Sequence, residues 1–289
     1  MKSLKIIAGA LALAALHAAP VQAAKQFGTK EAVTINPAKA YVFFRATSKL
    51  PPVLLREVNE VERAAYEQER ERAFVKAHAA YEKKLARWPG ELAEYRKMPP
   101  AQRRMSTEPA KPRDFTLATF SYPPRELRNL IVVAPRLFTK DKPNYSYLVE
   151  VDPGAIRLYG IMGVATGAHA GICLCMGSVK FEAAAGKITD MGEIQRPRSE
   201  AIIAGDKKAA AVPSSLPSFR IVPPSAAMPV PARLAGLPVV QADYRAAGKM
   251  SNDLGLMIDR VPAMEGVLAY QRDTVVDVKA QGAGATGSR

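Results

Sequence analysis

Tyr145-Ser-Tyr-Leu-Val-Glu-Val-Asp-Pro-Gly-Ala-Ile-Arg-Leu-Tyr-Gly160 is the stretch whose reading decides the fold class. Tyr145, Tyr147, Val149 and Val151 alternate with Ser146, Leu148 and Glu150, so an extended backbone sends one set to each face. Asp152-Pro153-Gly154 follows, and Pro153 and Gly154 suit the two central positions of a tight turn. Ala155 to Gly160 then resumes as a second strand. The stretch reads as a hairpin in an antiparallel sheet, apolar on one face and wet on the other. Leu148 breaks that alternation and calls for a neighbouring loop to cover it.

Working outward, the same grammar recurs. Ile172 to Ala183, the turn Ala184-Ala185-Gly186-Lys187 and Ile188 to Ile194 read as a second hairpin. Ala40-Tyr-Val-Phe-Phe-Arg45 reads as a first strand, and Phe115 to Tyr122 and Leu130 to Ala134 as strand-like runs. Short strands punctuated by turns predict a mainly β fold, an all-β sandwich over residues 24–194. An inserted helix interrupts it at about 53–97. Leu54, Val58, Val61 and Ala65 recur at helical spacing, and after the polar stretch Tyr66 to Arg72 the stripe resumes at Phe74, Ala77, Tyr81, Leu85 and Trp88. Pro89-Gly90 is expected to end this helix, with a short second one over Glu91 to Lys97. Met98 to Arg113 reads as a loop. Gln195 to Pro238, rich in Pro and Ala, reads as an extended surface linker. Residues 239–280 read as an ordered segment packing on the sandwich, ending in two short strands at Gly266 to Tyr270 and Thr274 to Val278. Residues 281–289 read as a disordered tail.

The N-terminus has the three parts of a cleavable secretion signal over residues 1–23. Lys2 and Lys5 precede an apolar run from Ile6 to Leu16, and Val21-Gln22-Ala23 supplies compact residues before a cut. That run is shorter than the roughly 20 apolar residues that span a bilayer. The expectation is export to a bacterial periplasm, with no transmembrane segment. The whole chain carries 41 basic and 27 acidic side chains. Loss of Lys2 and Lys5 leaves a mature surplus of twelve positive charges, from 39 against 27. In an exported protein that surplus turns expectation from nucleic acid toward an anionic envelope surface or an envelope protein.

Three pieces resemble uncharacterised exported bacterial proteins with an immunoglobulin-like β-sandwich domain. Ala40-Tyr-Val-Phe-Phe-Arg45 looks like that group's opening strand. Tyr147-Leu-Val-Glu-Val-Asp-Pro-Gly154 resembles its strand and Pro-Gly turn, and Val179-Lys-Phe-Glu-Ala-Ala-Ala-Gly-Lys-Ile188 its closing unit. The pieces cover under a third of the chain. The resemblance implies an immunoglobulin-like fold and an exported location, and it carries no catalytic residue across.

Chemistry is sparse in the sequence. His169-Ala-Gly-Ile-Cys173-Leu-Cys175-Met176 is the reactive-looking cluster. Cys173 and Cys175 share one face of a strand, and three readings stay open. They are buried apolar groups, a disulfide made in an oxidising compartment, or, with Met176 or His169, ligands of a soft copper-type metal. A regular strand holds the two residues too far apart to bridge, so a disulfide requires a bulge or turn between Gly171 and Gly177. His78 reads as a solvated helix residue. Histidine pairs at metal spacing, a Gly-x-Ser-x-Gly elbow and a phosphate-binding glycine loop are all missing from the sequence. Asp152, Glu182, Asp190 and Glu193 are carboxylates near the turns, better explained by turn chemistry than by paired-acid catalysis. Asp259-Arg260 and Arg272-Asp273 are adjacent opposite charges that read as pairing with each other or with the surface. The reading is therefore a non-enzymatic, periplasmic or envelope-associated binding or structural protein, with no cofactor, acting through the basic helix 53–97. A metal- or redox-responsive protein centred on Cys173 and Cys175 is the alternative.

Overall fold

Ala40–Ala46 (β1) is buried along its whole length, both faces included. In a computed structural model, residues 24–47, 52–139, 145–165, 168–197 and 219–285 are described. Residues 1–23, over which a secretion signal is expected, and the segment 198–218 lie outside them. The strands that follow β1 are Pro52–Arg56 (β2), Leu130–Val132 (β3), Tyr145–Val151 (β4), Gly154–Ala165 (β5), Ala168–Cys173 (β6), Ser178–Ala183 (β7) and Ile188–Gln195 (β8). The last third adds Arg220–Val222 (β9), Val239–Gln241 (β10), Arg245–Ala247 (β11), Met257–Ile258 (β12), Leu268–Gln271 (β13) and Thr274–Asp277 (β14). The helices are Glu60–Lys97 (α1), Pro100–Arg103 (α2) and Val278–Ala285 (α3). The chain divides into a helical unit, Asn59–Arg125, and a β-rich unit made of Val21–Val58 and Glu126–Arg289.

The β-rich unit is built on two sheets. One runs β10-β8-β1-β4, with β9 also on β8, and the other runs β11-β7-β5-β2-β3, with β6 on the far half of β5 and β12 on β6. Alternation along each strand explains the packing. Ala40, Val42, Phe44, Tyr147, Val149 and Met191 of the first sheet share one cluster with Leu54, Ile156, Leu158, Val179 and Phe181 of the second. The opposite faces are also covered. Tyr41, Phe43, Leu148 and Ile188 pack with Phe27, Phe138 and Leu234. Val53, Leu55, Tyr159 and both cysteines pack with Leu256. Sheets buried on both faces have strands that read as unbroken apolar runs, which is the composition of β1. Leu148 is covered as its sequence required.

Both expected hairpins are corrected. β4 lies in one sheet and β5 in the other, and they do not pair with each other. β7 and β8 are split in the same way. Asp152-Pro153-Gly154 and Ala184–Lys187 are therefore crossings between layers, with Gly154 and Gly186 at positive φ. Turn residues encode a reversal of the chain but not whether it stays in one ladder. Here Val149 and Ile156, one on each side of the turn, face a common core. The sheets are also mixed. β1 and β10 both run parallel to β8, with a register shift opposite Phe43–Arg45. Gly192 accommodates that shift: its φ is +81°, and a Cβ there would sit 2.1 Å from the Val222 carbonyl oxygen.

The helix begins at Glu60 and not at Val53. Pro52–Arg56 stays extended because it pairs with β3 on one edge and β5 on the other, burying Val53, Leu54 and Leu55. Asn59 caps the helix: its Oδ1 accepts from Glu62 N–H (2.9 Å), and Glu62 Oε2 accepts from Asn59 N–H (3.1 Å). The helix then runs through Pro89, merging the expected second helix into the first.

The segment 195–238 is not a surface linker over its described part. Phe219 and Ile221 enter the central core, Leu234 enters the outer cluster of the first sheet, and β9 pairs with β8. β10, β11 and β12 each join a sheet edge, and β13 pairs with β14. The expected tail begins as α3, through Ala285. Among the described residues no helix is long and apolar enough to cross a membrane.

Candidate functional site

The helical unit is built from one long helix and the chain that returns beside it. Half-covered residues of α1 recur at Tyr66, Arg70, Phe74, Ala77, Tyr81, Leu85 and Trp88, and no residue of the helix is fully buried. At about 1.5 Å per residue, α1 is roughly 57 Å long. Its stripe is covered by residues 106–124. Trp88 Nε1 donates to Pro109 O (2.9 Å), Arg70 to Leu117 O (2.8 Å) and Tyr66 Oη to Pro123 O (2.9 Å). Phe74 and Tyr81 stack on Phe115, with centroids 5.5 and 5.7 Å apart, and Phe74 meets Phe120 edge-on. Phe115 to Tyr122 is thus not a strand. Its aromatic residues find their partners on the helix, and the Pro89 turn is held by Trp88 despite the lost backbone donor.

His78 belongs to this aromatic stripe and is not a freely solvated group. Its ring lies 5.4 Å from Phe74 and 5.8 Å from Tyr81, and Nδ1 is 3.5 Å from Glu82.

The expectation of a basic helix also needs correction. α1 carries nine basic and eight acidic side chains, a surplus of one. What distinguishes it is segregation. Residues 60–71 hold five acids against two bases, whereas 72–97 hold three against seven. The trend ends in the turn that follows. From Tyr95 to Thr107 the chain has Arg96, Lys97, Arg103 and Arg104 and no acid. Met98 and Met105 stand in the same turn, Met105 being 91% exposed. This turn was legible in the sequence as a basic run between Glu94 and Glu108, yet composition alone marks it only as a loop.

In the β-rich unit, Cys173 and Cys175 form a disulfide with Cα atoms 5.1 Å apart. β6 ends at Cys173, and Leu174 to Met176 turn, which supplies the departure from a regular strand that bridging needs. Segment 249–259 closes over it. Met250 N–H donates to Cys175 O (3.0 Å) and Asp259 N–H to Cys173 O (2.8 Å), and both cysteines are almost fully buried. The metal set Cys173, Cys175 and His169 is not assembled, because the two sulfurs are bonded to each other. The backbone of His169 pairs with Val164, and its side chain lies outside the described residues. No group of three or more His, Cys, Asp or Glu side chains placed to hold a metal occurs among the described residues.

The four carboxylates near the turns do not converge as acid pairs. Asp152 binds Lys39 (2.6 Å), raising the lysine's pKa through hydrogen bonding and charge. Asp190 is buried and takes the Arg45 guanidinium at 3.1 and 3.3 Å, while the Gly192 amide donates to it at 2.8 Å. Glu193 accepts from Gln195 (2.6 Å), and Glu182 is exposed. Arg45 further donates to the carbonyls of Met228 and Pro229, bolting the proline-rich chain onto the first sheet. Sequence reasoning missed this bolt, since its partners lie 145 and more residues apart. Arg260 stacks over Tyr270 (4.4 Å) and does not pair with its neighbour's carboxylate, which accepts from the Arg260 amide instead. A cavity of about 220 Å³ is lined by Lys25, Lys39, Arg56, Arg128, Glu150 and Asp152. Its cations are already engaged, Lys25 by Glu150 at 3.0 Å, Lys39 by Asp152 and Arg56 by Asn129 Oδ1 at 3.4 Å among them.

The chain matches no protein-family model, no curated protein and no solved structure. The site's own geometry therefore carries the functional reading.

Proposed function

We propose that this chain is an exported, envelope-associated binding protein: an immunoglobulin-like β-sandwich supports a helical unit that contacts another envelope component. The observation that carries the reading is the charge segregation of α1. Five acids lie toward its start, while Arg96 and Lys97 end it and Arg103 and Arg104 follow, with no acid from Tyr95 to Thr107. The aromatic stripe of the helix is already occupied by residues 106–124, so what it presents outward is mainly a charge pattern, with Val61 and Val75 exposed within it. The helix dipole accounts for Glu60 and Glu62 in the first turn and for Arg96 and Lys97 in the last, but not for Arg103 and Arg104 beyond the helix end.

Export is supported by the three-part sequence of residues 1–23, and the Cys173–Cys175 bridge suits an oxidising compartment. A cut after Ala23 leaves a fixed start. Lys25 O accepts from Glu150 N–H (2.8 Å), and Phe27 N–H donates to Leu148 O (3.1 Å) along the β4 edge. The redox or soft-metal alternative requires sulfurs open to a thiol or metal. Both are covered by segment 249–259, so the bridge serves the packing of that segment.

The test is fractionation of cells producing the full-length chain, with N-terminal sequencing of the product. The expected result is a chain starting at Ala24, recovered with the envelope and released by high salt. Retention in the cytoplasm, or turnover of a substrate that depends on a named residue, overturns the reading.

A further inference from the structure

The turn at the end of α1 combines three properties that its position alone does not require. The first is charge. Arg96 and Lys97 are explained locally, since cations complement the partial negative charge at a helix C-terminus and Lys97 binds Glu94 at 2.9 Å. Arg103 and Arg104 lie beyond that explanation: they follow the helix end, and no acid stands between Glu94 and Glu108. The second is exposed apolar surface. Met98 is 36% and Met105 91% exposed, while the aromatic residues of the same unit are half-covered. The third is order. Met98 N–H donates to Tyr95 O (3.2 Å), and Pro99 and Pro100 open α2. Gln102 and Arg103 amides return to Pro99 O at 2.9 and 3.0 Å, so the two arginines and Met105 are held in one short turn.

We propose that this turn, Tyr95–Ser106, docks on the anionic headgroups of a phospholipid bilayer, with Met98 and Met105 entering the interface. The proposal rests on the envelope reading above and names its partner. Charge complementarity selects the occupant: Arg96, Arg103 and Arg104, beside a Lys97 that Glu94 already holds, match a surface of phosphates, whereas a protein partner would have to supply a carboxylate for each. Flexible, unbranched methionines beside cations fit a disordered headgroup layer better than a shaped pocket. Each basic side chain near an anionic surface multiplies binding by roughly fivefold, and the attraction weakens within a Debye length as salt rises.

The experiment uses the mature chain, residues 24–289, in co-sedimentation with vesicles. One set is phosphatidylcholine alone and the other contains phosphatidylglycerol. The expected result is binding to the anionic set only, weakened by salt. Arg103→Gln with Arg104→Gln should lower the partition roughly 25-fold. Met98→Ser with Met105→Ser should abolish the part that survives high salt. Lys187→Gln with Lys249→Gln removes equal charge from exposed positions of the β-rich unit and should change little. Equal binding to both vesicle sets overturns the proposal, and so does an equal loss in the lysine control, which would mean that net charge alone is read. If the chain fractionates with the envelope but ignores both vesicle sets, the partner is a protein. Lipid docking then falls while the envelope reading stands.

Discussion

β1 and α1 reach order from opposite sources. All seven residues of β1 are buried, whereas none of the 38 residues of α1 is. β1 depends on partners as distant as β8, and its side chains divide between two clusters. α1 depends on a capping box, its own backbone bonds and a return segment that follows it directly in sequence. A strand of the first kind tolerates little change, because dense packing leaves no room for it. A helix of the second kind leaves most of its surface unconstrained by packing. That freedom is what allows a charge gradient to be written on it.

Substitutions can break or sharpen this contrast. The largest effect is expected at Phe44, fully buried and stacked on Tyr147 with centroids 5.0 Å apart. Phe44→Ala should cost about 3–5 kcal/mol in chemical unfolding, and a loss below about 1 kcal/mol would break the claim that β1 tolerates little change. Arg45→Ala comes next, at about 3 kcal/mol, since it leaves the Asp190 carboxylate buried without its cation. The same variant should expose the 223–231 segment to protease, which a purely local effect would not do. Alkaline pH offers a test without mutation. Burial pushes the Tyr147 hydroxyl up to about 12 and that of Tyr244 higher still. A raised folded pKa means that stability is intact below the unfolded value near 10 and falls as pH rises through the folded one. Unfolding free energy should therefore decline from about pH 10 to about pH 12, by up to about 1.4 kcal/mol per unit for Tyr147. A flat profile over that window would place these tyrosines in contact with water.

Cys173→Ser with Cys175→Ser should cost only about 1–2 kcal/mol, because the bridge closes a loop of three residues and constrains the unfolded chain weakly. A much larger loss would make the disulfide a determinant of the second sheet and not a fastening for segment 249–259. The smallest effect is expected in the helical unit. Phe74→Ala should cost about 1 kcal/mol, seen as loss of helical signal without a change in the β-rich transition. A single shared transition that shifts by several kcal/mol would erase the distinction between the two regions.

Much of the fold was legible in the residues themselves. The strands at Ala40, Leu130, Tyr145 and Thr274 stand where β-formers cluster, and the need to cover Leu148 followed from its polar neighbours. The errors share one cause. Asp152-Pro153-Gly154 and Gly186 announce a reversal, which looks the same whether the returning strand pairs in-plane or crosses to the facing sheet. Pro52 opens a helix or begins a strand equally well, and its choice was made by β3 and β5. Phe115, Phe120 and Tyr122 have the composition of a strand, but their partners are Phe74 and Tyr66 of the helix. At the candidate site, the charges of the turn after α1 were visible, while the exposure of Met98 and Met105 was not.

The sequence by itself determined what depends on neighbours a few residues away: the β-rich composition, the helix, the turns and the placement of charge along α1. Tertiary structure decided which sheet each strand joined, the bond between Cys173 and Cys175, and the Arg45–Asp190 bolt across 145 residues. Local preferences are settled by backbone sterics and nearby hydrogen bonds. Layering and long-range pairs are settled only when distant apolar faces must be buried together.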